Sequence, residues 1–410
     1  MKEENAKIKQ ISGGVCAAEG FLAAGVYCGI RRNRTKKDLA LIFSEKPADA
    51  AAVYTRNLVK GAPLAVTKRH VDSGRISAVI CNSGIANTCC AGGEEVAEKT
   101  CALLAEELGI PAESVAVAST GVIGQPLDIE PIKRGIPELK KSLSRDASPA
   151  AQAIMTTDTV EKQVAVEFEL GGKTVRLGGI AKGSGMIHPN MATMLVFLTT
   201  DAAVSRTMLQ KALSGDIENT FNMMSVDGDT STNDMVLLLA NGMAGNEEIT
   251  CDNDDFRTFM CALNTVNVAL CRMLAGDGEG ATKLLDCVVT GADSTENAKK
   301  AAKAVVCSSL VKAAMFGADA NWGRVLCAMG YGGAEFDPGK VRVDFRSAAG
   351  AVTVCENGSD AGFSEEKAKA VLSEKEIVIE VSLGEGECSA EAWGCDLTYD
   401  YVRINGDYRT

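Results

Sequence analysis

The sequence predicts an α+β fold, with strands and helices mixed along the chain and no regular βαβ alternation of a doubly wound sheet. Three observations carry that expectation. Apolar alternation and helical spacing both recur across the 410 residues. The first half holds a hairpin with a glycine turn, and the second half is rich in helix before strands return near the end. At 46% hydrophobic and 23% charged residues, the composition is that of a globular chain and sets disordered and fibrous classes aside. A chain of this length buries about three quarters of its unfolded surface, so it needs no metal or disulfide staple to fold.

Residues 76–81 (ISAVIC) and 115–119 (VAVAS) read as buried strands. Between them, 94–108 carries Val96, Leu103, Leu104 and Leu108 at helical spacing, and Gly109 and Pro111 supply the stop. Val164, Val166, Phe168 and Leu170 alternate, Gly171-Gly172 turns, and Val175 and Leu177 resume, which predicts the hairpin. Helices are expected over 205–221, 254–275 and 295–316, the last opened by a capping box of Asp293 and Glu296. Strands return at 341–345, 351–354, 376–381 and 396–402.

Composition narrows the chemistry. Forty-two basic against 54 acidic residues leave a net charge of −12, which argues against a nucleic-acid groove. The only histidines are His70 and His188, so multi-histidine metal sites are excluded and a Ser-His-Asp triad would have to use one of them. His188 reads as a structural turn residue and His70 as a surface residue. Fifteen cysteines without any C-x-x-C read as reduced thiols acting as small buried hydrophobes. The N-terminus has no secretory h-region. No run approaches the ~20 apolar residues of a membrane span, the longest candidate being 234–242. The expectation is a soluble, cytoplasmic protein.

Several motifs invite over-reading. Residues 276–283 (GDGEGATK) place Ala281 and Thr282 ahead of Lys283, whereas a P-loop needs Gly-Lys-Ser/Thr in succession. Residues 227–234 (DGDTSTND) look like a calcium loop, but Thr232 occupies the glycine position and Leu238 that of the bidentate glutamate. Lys182 precedes Gly183-Ser184-Gly185, so no G-x-S-x-G elbow is present. Residues 181–195 (AKGSGMIHPNMATML) differ from these: a glycine-rich turn with Pro189-Asn190 leads into Ala192-Thr193 and then an apolar run. Such a turn could present a hydroxyl to a pocket; an ordinary loop-to-strand junction is the plain alternative.

This segment resembles the self-cleavage site of the ornithine acetyltransferase family, the glutamate N-acetyltransferases and ornithine acetyltransferases of arginine biosynthesis. The resemblance runs nearly end to end: Gly13-Gly14-Val15, Gly20-Phe21, Asn82-Ser83-Gly84 with Ala86-Asn87, the run 119–124 (STGVIG), the run 155–159 (MTTDT), the glycine block 276–283, Asp319 with Asn321-Trp322-Gly323-Arg324, and the terminal run 404–410 (INGDYRT). Ile85 stands where the family usually has asparagine, and Gly406 where alanine is common.

The resemblance implies a layered α/β/β/α-type sandwich of the ornithine acetyltransferase/aminopeptidase kind. It implies self-cleavage between Ala192 and Thr193 into an α chain (1–192) and a β chain (193–410) that share one catalytic core, assembled as an α2β2 heterotetramer. Thr193 is then the nucleophile, with Thr120 and the Gly121 N–H as oxyanion donors. Thr157, Lys182, Glu279, Asn405 and Thr410, with Thr193, contact substrate. The implied reaction is ping-pong transfer of acetyl from N-acetylornithine to L-glutamate, without metal, cofactor, nucleic acid or membrane. Acetyl-CoA stays open as a second donor, because no motif reads as a coenzyme A cradle. Two other classes stay open: a self-cleaved aminopeptidase or amidohydrolase in which water accepts the acyl group, and a non-enzymatic metal- or nucleotide-binding module on residues 227–234 and 276–283. All the implied site residues are expected to converge on one cleft.

Overall fold

The computed structural model describes residues 8–188 and 194–407. It divides into two compact units, Met1–Gly183 with Asn190–Glu218 and Thr230–Leu270, and Ser184–Pro189 with Asn219–Asp229 and Cys271–Thr410. Helices and strands are mixed in both, as an α+β fold requires.

The first unit carries β1 (Lys9–Ile11), β2 (Phe21–Val26), β3 (Leu39–Tyr54), β4 (Ile76–Ile85), β5 (Val115–Val122), β6 (Lys162–Leu170), β7 (Lys173–Lys182) and β8 (Leu195–Thr200). β9 (Met224–Ser225) belongs to the second unit, and β10 (Met235–Ala240) returns to the first. The first sheet runs β1-β6-β7-β8-β10-β3-β4-β5, with β2 on β3. β8 and β10 pair in parallel and are buried at every position. Strands covered on both faces read as continuous apolar runs, which explains MVLLLA and LVFLT. The same reason applies to β4 and β5. Val79, Cys81, Ala116 and Ala118 enter one core cluster, while Ala78, Ile80, Val115 and Val117 enter another with Ala97, Cys101 and Leu104 of the helix Gly93–Leu108. The β6–β7 hairpin forms as expected: Gly171 and Gly172 both take positive φ, 54° and 74°, which a two-residue turn of this hand demands.

In the second unit, β11 (Leu284–Ala292), β12 (Arg342–Ser347), β13 (Gly350–Glu356), β14 (Ser359–Asp360), β15 (Glu376–Ser382) and β16 (Cys388–Cys395) join β9 in the order β14-β13-β12-β15-β11-β16-β9.

Four local expectations need correction. The helix expected over 295–316 is two, Thr295–Cys307 and Ser309–Phe316. Ser308 is extended, and its hydroxyl accepts the Val311 N–H at 3.3 Å, capping a new helix instead of continuing the old one. The first of these helices is capped by Ser294, not Asp293; the Asp293 carboxylate accepts from the Ser294 hydroxyl and the Asn297 amide. The helix expected over 205–221 stops at Ile217. Residues 396–402 do not form a strand: Thr398 accepts the Tyr401 N–H and opens the helix Tyr399–Gly406, while the strand is the preceding CSAEAWGC.

The helix Asp254–Gly276 is long and apolar enough, by length and composition, to cross a membrane, which the sequence reading missed. Its Phe256, Phe259, Leu263, Val266 and Leu270 form one buried stripe at helical spacing, and the Asn264 and Asn267 amides donate to the Asp216 carboxylate. Those are the marks of a core helix.

All fifteen cysteines are free thiols. Seven are buried; burial pushes Cys16, Cys81 and Cys101 up to about 12, so these behave as inert apolar groups. Cys89, Cys251 and Cys327 are exposed, so the buried-hydrophobe reading holds for only part of the set.

Candidate active site

Thr120 and Gly121 lie at the end of β5, opposite Ser83 and Gly84 of β4. Gly121 has φ 132°, and a Cβ there would stand 2.3 Å from the Gly84 carbonyl carbon. Only glycine permits both the backbone angle and the approach. The strand ends are held by side chains. The Ser119 hydroxyl donates to Asn82 Oδ1 at 2.6 Å, and Asn82 Nδ2 donates to the Ile85 carbonyl at 2.9 Å. Asn233 Nδ2 donates to the Ser119 carbonyl at 2.9 Å and to the Ala86 carbonyl at 2.6 Å. Thr120 itself is buried.

Lys182 ends β7, opposite Leu195, which in turn faces Met235 of β10. Thr157 lies half-buried in the turn before β6. Its neighbour Asp158 joins this turn to the end of β7, accepting the Gly183 N–H and the Lys162 ammonium, each at 2.7 Å. Burial alone would raise the Asp158 carboxyl, but Lys162 and Lys182 outweigh it and hold it down at about 2. The Lys162–Asp158 side chains are fully buried, and removing one partner of such a pair costs roughly 3–5 kcal/mol.

Asp234 directly precedes β10. Its side chain is buried and its Oδ2 has no hydrogen-bond partner among the described residues. Burial raises its carboxyl well above the usual range, with Lys182 and Ser231 pulling the other way. Lys182 also acts on the buried Cys81 of β4. Asn233 against Ser119, and Asp234 within the field of Lys182, thus bring the ends of β5, β7 and β10 to one place in the first unit. The Met235 N–H donates to the Met194 carbonyl at 3.0 Å, so the chain directly after Thr193 enters the sheet beside Asp234.

The second unit holds Glu279 and Asn405. Glu279 is buried, its N–H donates to the Ser184 carbonyl at 2.8 Å, and its Oε2 accepts from Asn405 Nδ2 at 2.7 Å. A Cβ on Gly185 would stand 2.3 Å from the Glu279 carboxyl carbon, so this glycine lets the chain pass against the carboxylate. Asp227 anchors the same segment, accepting the Met186 and Ile187 N–H groups at 2.6 and 2.8 Å. Ala192, Thr193 and Thr410 lie outside the described residues.

The other motifs resolve into structural work. Lys283 spends its ammonium on the Met315 and Leu372 carbonyls at 2.5 and 2.7 Å, closing helix ends instead of meeting a phosphate. Both Asp227 oxygens serve backbone N–H groups, which is not how a calcium ligand is used. His188 is half-buried, with Nδ1 3.1 Å from the Ser225 hydroxyl; burial and Lys303 lower it to about 4, so it is neutral at pH 7. His70 is not a free surface residue: its Nδ1 lies 2.7 Å from the Val115 carbonyl.

A model of the ArgJ family matches residues 22–410. The chain belongs to the ArgJ family. The "Arginine biosynthesis bifunctional protein ArgJ 1" of Clostridium acetobutylicum is 52% identical over 392 residues, covering 95% of this chain and 96% of that protein. The corresponding ArgJ protein of Symbiobacterium thermophilum is 52% identical over 403 residues, covering 98% and 99%. Among solved structures, the Bacillus halodurans ArgJ protein matches at 46% identity and a TM-score of 0.49, over 51% of this chain and 97% of that one. The chain is thus an enzyme of a family named for arginine biosynthesis. Its departure at Ile85 leaves the turn intact, because the Asn82 side chain binds the Ile85 carbonyl and not its side chain.

Asn233 and Asp234 are not among the residues the sequence points to, because 227–234 reads there as a polar stretch with failed calcium spacing and carries no assigned role. The available signal was an acid placed immediately before a wholly apolar strand. Asp234 also predicts a stability effect. A carboxyl raised in the folded state binds its proton more tightly there than in the unfolded chain, whose value is about 3.9. Folding therefore loses stability as pH rises above about 4. Asp234→Asn is expected to raise the thermal midpoint by a few degrees at pH 7 and to leave it unchanged at pH 3, as a melting series would record. A lowered midpoint at pH 7 would mean that the carboxylate is paired.

Proposed function

We propose that this enzyme transfers acetyl from N-acetylornithine to L-glutamate through an acetyl-threonine intermediate on Thr193. The observation that carries the reading is the gathering of Thr120–Gly121, Lys182 and the entry of β8 within the first unit. Self-cleavage begins when Thr193 Oγ attacks the Ala192 carbonyl carbon; the Ala192–Thr193 C–N bond breaks, which frees the Thr193 α-amine and leaves Ala192 as an ester on Oγ, and water then splits that ester into the Ala192 carboxylate and the free Thr193 hydroxyl. A hydroxyl is a weak nucleophile and needs an adjacent base. With an ordinary value of about 8, the freed amine is suited to take the Oγ proton.

Oγ then bonds to the acetyl carbon, and the oxyanion is held by the Thr120 hydroxyl and the Gly121 N–H. The C–N bond breaks, and ornithine leaves with the proton. The glutamate amine attacks the ester, the C–O bond breaks, and Oγ regains its proton. Lys182 pairs with the substrate carboxylate that both amino acids carry, and Glu279, steadied by Asn405, accepts from a substrate ammonium. Thr157 and Thr410 complete the substrate contacts. The relatives' name, bifunctional, supports acetyl-CoA as a second donor for glutamate. We place the reaction in the cytoplasm and the assembly as α2β2.

Initial rates with N-acetylornithine and glutamate, without metal, test this. Parallel double-reciprocal lines are expected. Acetate release at equal rate with and without glutamate would instead favour the hydrolase reading. Acetyl-CoA in place of N-acetylornithine, with the same purified enzyme, decides the second donor.

A further inference from the structure

We propose that Asn233 is a positioning residue that sets the oxyanion donors at the end of β5. The proposal rests on the acyl-transfer reading above and deepens it. Asn233 is 5% exposed, and its amide is fully committed. Both hydrogens of Nδ2 go to main-chain carbonyls: Ser119, whose peptide carries the Thr120 nitrogen, at 2.9 Å, and Ala86, just past the end of β4, at 2.6 Å. Its Oδ1 accepts from the Thr88 and Thr232 hydroxyls, both at 2.6 Å. The two carbonyls can only accept, so they fix which end of the amide carries the hydrogens: Nδ2 is aimed at them and Oδ1 at the hydroxyls.

The place matters because β4 and β5 part there. The Ala86 N–H still donates to the Val122 carbonyl at 3.0 Å, and the Gly124 N–H to the Thr88 carbonyl at 2.9 Å. The amide of Asn233 is a third tie, brought from the start of β10. It orients the Ser119–Thr120 peptide from outside the β4–β5 pair. Gly61 packs closely against this amide: a Cβ there would stand 2.5 Å from Asn233 Nδ2. Donors aimed at a developing oxyanion act in the transition state, so an error in their position lowers kcat and leaves substrate binding alone. Aspartate at 233 keeps the acceptor and loses both donations. Alanine loses the whole tie.

The test is a double-mutant cycle with Thr120→Ala, on cleaved enzyme with circular dichroism to check folding. Asn233→Ala and Asn233→Asp are expected to lower kcat by about 10–10²-fold, with KM for N-acetylornithine changed less than about threefold. Thr120→Ala, costing about 10²–10³ in the parent, is expected to cost less than about tenfold in the Asn233→Ala background. A residue that merely supports the fold would raise KM as well and leave the two costs multiplicative. Multiplicative costs in a folded variant overturn the proposal. Thr88→Val is the milder variant, should Asn233→Ala fail to fold: it removes one hydroxyl that orients the amide, and the same sub-multiplicative coupling to Thr120→Ala is expected, with independence counting against the proposal. If Thr120→Ala has no effect in the parent, the oxyanion assignment itself is wrong; if only the coupling is missing, that assignment stands and the role of Asn233 falls.

Discussion

Thr193→Ala is expected to leave one uncleaved chain with acetyl transfer reduced by on the order of 10⁴–10⁶-fold. The size follows from the double use of this residue. The variant lacks the hydroxyl that opens the Ala192–Thr193 bond, so the α-amine is never freed, and it also lacks the nucleophile for each turnover. Intact-mass spectrometry reads the first loss, as one species in place of chains 1–192 and 193–410, and the transfer assay reads the second. Thr193→Ser keeps both groups and should still cleave. An uncleaved wild-type chain with full activity would overturn the assignment of Thr193 as an N-terminal nucleophile.

Thr120→Ala should lower kcat by about 10²–10³, the usual cost of one oxyanion donor. Folding should be nearly unaffected, because the strand position is set by the β4–β5 ladder and by Ser119, not by the Thr120 side chain. Thr120→Ser should keep much of the activity, since the hydroxyl survives. Equal impairment of the alanine and serine variants would show that the methyl or the backbone, not the hydroxyl, is the relevant group. Gly121 is not open to the same experiment. Any side chain there meets the Gly84 carbonyl, so a loss of activity would report a distorted strand pair.

Much of this site was legible in residue order. Glycine at 121 and the glycine pair at 171–172 are demanded by local backbone angles, and local demands leave their mark in sequence. The apolar runs of β4 and β5 announce buried strands, and both are covered on two faces; β10 carries an equally apolar run, at 234–242, that the sequence reading does not assign as a strand. The break at Ser308 and the helix at 399–406 were not legible, because serine and threonine cap a helix only when the chain around them turns extended, and that is settled by packing. The helix Asp254–Gly276 shows the reverse: its composition alone fits a membrane span, and only its buried stripe and the Asp216 partners of Asn264 and Asn267 mark it as core.

The sequence by itself determined the α+β class and the family, because these depend on residue patterns and motifs in a recognisable order; positions 120, 121 and 193 are the ones on which the proposed mechanism rests. Tertiary structure alone decided what residues 227–234 do. Taken in sequence they are a polar stretch with failed calcium spacing. Folded, Asp227 holds the Met186 and Ile187 N–H groups, Asn233 holds the Ser119 carbonyl, and Asp234 is buried with one oxygen unpartnered among the described residues. Asn233 and Ser119 are separated by 114 positions along the chain. A hydrogen bond over that distance leaves no periodicity for a sequence to display, since it exists only once the strands that carry its two ends have been brought together.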